Sequence, residues 1–237
     1  MKRGTRIQLF ERSGKIYYQT ETADFIIQDF NSITSSTVKN LSKKNGLDVL
    51  RNTISCYLFE YLEEFRIATH FSKKFSTAEM LVKKTEAIPL VVKVYNVNDG
   101  VLLQRFHRNG KVTLEFPVIE HYYITDESTT TWVNEYHVYA LGIATPEEFK
   151  QMNRMSSKAN AVIRGLCDRR QLTLAEIQFS FGRSKGQVVL TDELSPTTCR
   201  FVDRDGKDEI HRNRFDPGQE HASDAIAELC DRLMLKV

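Results

Sequence analysis

The stretch from Phe181 to Pro196, reading Phe-Gly-Arg-Ser-Lys-Gly-Gln-Val-Val-Leu-Thr-Asp-Glu-Leu-Ser-Pro, constrains the fold more than any other part of the chain. A strand-like run ends at Gly182, a short polar turn closes on Gly186, and Val188-Val189-Leu190 leads away from it. That spelling predicts a β-hairpin. Its second strand ends on two neighbouring carboxylates, Asp192 and Glu193, followed by a Ser195-Pro196 turn. Adjacent acids where a strand leaves its sheet suit a Mg²⁺ held against a nucleotide phosphate. On pattern alone they suit better a solvated hairpin end whose turn begins at Asp192.

Elements of both kinds surround this hairpin. Ile7 to Phe10 alternates, Ile16-Tyr17-Tyr18 follows a Ser13-Gly14 turn, and Phe25-Ile26-Ile27 follows Asp24, which predicts strands. A polar stretch from Ser32 to Lys44 reads as a surface loop or a lid. Leu47, Leu50, Ile54, Tyr57, Leu58, Tyr61 and Phe65 then recur at helical spacing. Met80 to Val82 and Leu90 to Val94 read as strands. Thr145, Pro146 and Glu148 spell an N-cap, a first-turn proline and a capping box for a helix reaching about Arg169. Ile226, Leu229, Cys230 and Leu233 mark a closing helix. The pattern predicts an α+β or mixed α/β protein with an N-terminal, mostly β lobe over 1–86 and an α/β lobe over 87–237. Lys15, just past the glycine turn, stands where a lysine reaches a phosphate. Lys83 and Lys84 are neighbours on a strand, so one faces a cleft and the other faces away.

Composition narrows the function classes. With 237 residues, 41% hydrophobic and 27% charged, the chain has the make-up of an ordinary globular protein with room for two lobes around a cleft. A net charge of +2 carries no footprint for nucleic acid or a membrane surface. Cys56, Cys167, Cys199 and Cys230 are too far apart in sequence for a zinc knuckle or disulfide framework. Reduced thiols in a cytoplasm are the simplest account. Cys199 is expected in a loop, where neighbouring Arg200 would lower its pKa. No run approaches the ~20 apolar residues of a membrane span, and Met1-Lys2-Arg3-Gly4 does not open a signal peptide.

The motifs, taken in order, resemble SAICAR synthetase, the purine-pathway ligase. Asp192-Glu193-Leu194-Ser195-Pro196 resembles its Asp-Glu-Phe-Ser-Pro, and Arg200 closes its Ser-Pro-x-x-x-Arg. Leu81-Val82-Lys83-Lys84 with Ile88-Pro89, Asn96 with Gly100, Val133-Asn134-Glu135 and Lys158-Ala159-Asn160 fall on further family signatures. The resemblance implies a two-lobed, kinase-like or ATP-grasp-like fold with a nucleotide between the lobes, ATP and Mg²⁺ as cofactors, and a homodimer. It implies that Asp192 sits at a metal-ligand position and that Lys15, Lys83, Asn96, Arg200 and Arg212 bind nucleotide or phosphate, with the two arginines on a ribonucleotide 5′-phosphate. It places Asn134, Glu135 and Ser195 in substrate loops.

The chain also departs from the family's spelling. Where the family has Asp-x-Lys-x-Glu-Phe-Gly, this chain has Glu176-Ile177-Gln178-Phe179-Ser180-Phe181-Gly182. Val91, Tyr95 and Val101 replace a glutamate, an arginine and a serine. The Gly-Lys-x-Lys loop keeps Lys15 but has Ser13 at the other lysine position. His211 is new and suits a general acid or base near neutral pH. ATP-driven ligation needs cations on the triphosphate and anchors for the aspartate carboxylates, and the losses fall on both. Three readings follow. One is an enzyme acting on a purine-type or imidazole ribonucleotide without standard ligation, as in purine-analogue biosynthesis of the coformycin type. The second is a divergent ligase joining aspartate to carboxyaminoimidazole ribonucleotide with ATP. The third is a non-catalytic nucleotide-binding protein.

Overall fold

A computed structural model describes residues 6–30, 46–98, 101–106, 112–126, 129–204, 214–219 and 222–233. In chain order the elements are β1 (Gln8–Arg12), β2 (Lys15–Gln19), β3 (Phe25–Asp29), α1 (Leu47–Glu64), β4 (Phe71–Lys74), β5 (Glu79–Lys83), β6 (Glu86–Asn98), α2 (Val101–Phe106), β7 (Val112–Ile124), β8 (Thr130–Val133), α3 (Glu135–Ala140), α4 (Pro146–Arg169), β9 (Leu172–Ser184), β10 (Gln187–Thr191), β11 (Cys199–Asp203) and α5 (Ala222–Arg232). The fold is mixed α+β. A five-stranded antiparallel sheet runs in the order β1-β2-β3-β5-β4, and a six-stranded sheet in the order β10-β9-β6-β7-β8 with β11 added on β9.

Strand β6 carries the second sheet. Val92 and Val94 alternate with Val91, Lys93 and Tyr95, so one set of side chains meets the helices and the other faces away from them. Pro89 lies inside this strand, and the ladder with β9 shifts register between Ile88 and Val91, which accommodates the missing N–H. The helix-side face, with Val92, Val94, Ile177 and Phe179, is buried together with Met152, Ala159, Ile163 and Leu166 of α4. Thr145 caps α4 as its spelling predicts: its side chain accepts from the Glu148 N–H while Glu148 accepts from the Thr145 N–H, with Pro146 in the first turn. One continuous core joins residues of both sheets with α1, α4 and α5. The segment 68–70 stitches the sheets together, because His70 N–H donates to Leu190 O (2.8 Å) and Leu190 N–H donates to Ala68 O (3.0 Å).

The predicted hairpin is β9–β10, with Val189 opposite Gly182 and Thr191 opposite Ser180. On the same edge of β9, β11 pairs further back, with Arg200 opposite Glu176. The residues between β10 and β11 therefore form a loop at mid-edge of the sheet. Cys199 is a strand residue rather than a loop residue and is 2% exposed. Burial pushes its thiol up, against the expected lowering by Arg200. Among the described residues no helix is long and apolar enough to cross a membrane. The polar stretch Ser32 to Lys44 lies outside the described residues, as do His211 and Arg212.

Candidate functional site

Two adjoining cavities open beside the β10–β11 loop. The larger, about 550 Å³, has apolar walls from Ile26, Val82, Ile88 and Phe181 and charged groups of both signs, Arg12 and Lys83 with Glu11, Asp126 and Asp192. The smaller, about 230 Å³, is lined by Lys15, Arg51, Glu193 and Thr197. Ser13, Gln178 and Asp192 border both and mark their junction. An apolar slot with a few convergent polar groups is the usual make-up of a small-molecule site.

Glu193 is the electrostatic centre. It is 3% exposed, and both of its oxygens are occupied. Oε1 accepts from Lys15 Nζ (2.7 Å) and Arg51 Nη2 (2.6 Å), while Oε2 accepts from Arg51 Nε (3.1 Å) and Ser195 Oγ (2.6 Å). Burial alone would raise a carboxyl pKa, but Arg51 and Lys15 overcome it and hold Glu193 well below the usual carboxylate range. Arg51 comes from α1, Lys15 from β2 and Glu193 from the loop just past β10, so one carboxylate ties two elements to that loop. Lys15 is enclosed by Glu193, by Ser13 O (3.0 Å) and by Asp192 Oδ1 (2.7 Å), the last an ionic contact off the hydrogen-bonding direction.

The turn at Asp192 is held from the other side. Asp192 has φ 70°, a left-handed conformation that Asp tolerates better than most residues. Its carbonyl accepts from Gln28 Nε2 (2.9 Å), which leaves Gln28 Oε1 facing His70 Nε2 at 3.3 Å. The network thereby assigns the proton of His70 to Nε2 and leaves Nδ1 as a buried acceptor without a partner among the described residues. Burial lowers the His70 pKa to about 3, so the ring is neutral.

Beyond the junction, one face of the second sheet carries a register of polar and aromatic side chains. Val91 stands opposite Ser180, Lys93 opposite Gln178, and Tyr95 opposite Glu176 across β6 and β9. Across β7, Lys93 stands opposite Glu120 and Val91 opposite Tyr122. Tyr122 donates to Glu120 Oε2 (2.6 Å), and the Lys93 ammonium lies 5.1 Å from the Tyr122 ring centre.

The sequence profile of SAICAR synthetase matches residues 11–219. The chain belongs to the SAICAR synthetase family. The phosphoribosylaminoimidazole-succinocarboxamide synthase of Prosthecochloris aestuarii is 34% identical over 229 residues, covering 95% of this chain and 97% of that one. The crystal structure of the Ehrlichia chaffeensis enzyme of the same name superposes with TM-score 0.85 at 27% identity, over 98% of this chain and 100% of that one. A SAICAR synthetase (Type-2) solved in complex with ADP superposes with TM-score 0.84 at 29% identity, over 94% and 96%.

The family's expected site residues take different places. Asp192 and Lys83 line the larger cavity, and Lys15 lines the smaller. Lys83 Nζ donates to Thr69 O (2.9 Å), whereas neighbouring Lys84 is exposed. Ser195 is fully buried and donates to Glu193. Asn134 caps α3, accepting from the Tyr136 and His137 N–H groups, and Glu135 is an exposed residue of that helix's first turn. Arg200 is half-buried on β11 opposite Glu176. Asn96 is 2% exposed and exchanges amide hydrogen bonds with Asn160, at 2.8 and 2.9 Å. Asn160→Ala strands that buried amide, so unfolding in urea should show a loss of about 1–3 kcal/mol. A loss below about 0.5 kcal/mol, the scale of an ordinary surface change, would show the pair to be dispensable.

Four of the departures from the family spelling, Val91, Tyr95, Gln178 and Ser180, fall together on the single sheet face described above. The family also implies Mg²⁺ at Asp192. Among the described residues no three His, Cys, Asp or Glu side chains gather as a metal site. Ser180, opposite the residue before Asp192, offers only a hydroxyl, and the Lys15 ammonium already lies against Asp192 Oδ1. These side chains do not fit a divalent cation held by the protein. Sequence reasoning missed Arg51, His70 and Arg12. Arg51 sits within the helical stripe that reads as core, His70 lies in a stretch with no motif, and only the fold turns them toward Glu193 and Gln28.

Proposed function

We propose that the chain binds a nucleotide in the larger cavity and acts on a purine-type or imidazole ribonucleotide, by chemistry that has left the ATP-driven joining of aspartate. The pocket supports a nucleotide: its apolar walls suit a base, and a relative of similar structure is described in complex with ADP. The observation that carries the rest is the in-register face of Val91, Tyr95, Gln178 and Ser180. Ligation of a dicarboxylate amine needs positive anchors, and transfer from a triphosphate needs clamped charge. On this face an aliphatic chain, a phenol, an amide and a hydroxyl stand where the family spelling has four charged groups. Tyr95 is buried, and burial together with its bond to Tyr122 keeps the phenol protonated. Ring-expanded purine analogues of the coformycin type are one class of product compatible with a ribonucleotide site stripped of these charges.

The ordinary ligase is the second reading, favoured by 34% identity to a curated synthase across nearly the whole chain. Purified protein with ATP, Mg²⁺, aspartate and carboxyaminoimidazole ribonucleotide separates the two. The expected result is no ADP release above background while the ribonucleotide still binds. ADP release that requires both aspartate and the ribonucleotide overturns the proposal in favour of the ligase.

A further inference from the structure

We propose that Arg12 is the phosphate-binding residue of the larger cavity, a role no motif assigns to it; this rests on the reading that the cavity takes a nucleotide. Arg12 and Lys15 close a two-residue hairpin through Ser13 (φ 50°) and Gly14 (φ 68°) and face each other directly in register. Directly opposed residues of an antiparallel pair project from the same face, so the hairpin offers two cations to one side. Their fates differ. Lys15 is 1% exposed and is surrounded by Ser13 O, Glu193 Oε1 and Asp192 Oδ1. Turning it to a phosphate would strip buried carboxylates of their counter-ion, which costs more than a new contact returns.

Arg12 is half-buried and lines the larger cavity. Its guanidinium forms no ion pair with another described residue. The other cation lining that cavity, Lys83, already donates to Thr69 O and lies 3.8 Å from Glu63 Oε1. Glu11, Asp126 and Asp192 also line the cavity, but none of them forms an ion pair with Arg12, and a partly desolvated cation without a paired carboxylate favours an incoming anion. The planar guanidinium gives phosphate two parallel donors. The positive charge of the hairpin has in effect moved from Ser13, where the family spelling has lysine, to the residue before it.

The test is titration calorimetry of the full chain with ADP, adenosine and inorganic pyrophosphate, on wild type and on Arg12→Ala and Arg12→Lys. Arg12→Ala is expected to weaken ADP and pyrophosphate by about 10- to 100-fold and to leave adenosine unchanged, with Arg12→Lys intermediate. Equal ADP affinity in wild type and Arg12→Ala, with both variants melting as wild type does, overturns the proposal. If wild type binds pyrophosphate through Arg12 but neither ADP nor adenosine, the anion site stands and the nucleotide reading fails. If wild type binds none of the three, both fail.

Discussion

Glu193→Ala should lower the stability of the protein by about 3–5 kcal/mol, read as the shift of the urea unfolding midpoint at constant slope. The substitution removes the acceptor shared by Lys15, Arg51 and Ser195 and leaves two buried cations without the carboxylate that pairs with both. Glu193→Gln keeps the shape and loses the charge, so it should also be strongly destabilised. A loss below about 1 kcal/mol for either variant would show that the site relaxes enough to hydrate Lys15 and Arg51. The pH dependence has a definite sign. The folded-state pKa of Glu193 lies well below its ordinary 4.5, so its contribution is fully present above pH 4.5 and is lost as pH falls below that toward the folded value. Glu193→Gln should remove that part of the acid slope.

The second large effect lies in a different pH window. His70 is neutral in the fold, with a pKa of about 3 against an ordinary 6.5. Unfolded chains bind this proton below pH 6.5 while folded ones do not. Stability is therefore full above 6.5 and declines as pH falls from 6.5 toward 3, by several kcal/mol in total. His70→Gln preserves a neutral side chain with hydrogen-bonding groups and should flatten the decline between pH 6.5 and 4.5, before Glu193 begins to titrate. His121, also lowered by burial, contributes a smaller residual slope in the same window. If wild type and His70→Gln lose stability in parallel over that range, His70 is not the buried neutral group described here.

Much of the architecture was legible in the sequence, because it is carried by local signals. The alternation around Ile16, the stripe from Leu47 to Phe65, the capping box at Thr145 and the Gly-bounded hairpin before Asp192 each depend on residues within a few positions. Two strands carry no such local signal. Strand β7 contains Pro117, and β11 is short, so neither announced itself; both are made by pairing with β6 and β9 across long loops. For Asn134, Asn96 and Cys199 the residue types allowed several roles, and only burial and partners decided among them. Asn134 caps a helix, Asn96 bonds Asn160, and Cys199 is sealed in a strand.

The sequence by itself determined the fold class, the order of its main elements, the family, and the list of positions where family charges are absent. Only the tertiary structure decided that four of those positions share one sheet face, that Glu193 joins Lys15 to Arg51, and that Arg12 rather than Lys15 is open to the cavity. The physical reason is range. Hydrophobic periodicity and capping act over a few residues, whereas the partner of a buried charge is set by packing between segments such as 15, 51 and 193, which only the folded chain brings within hydrogen-bonding distance.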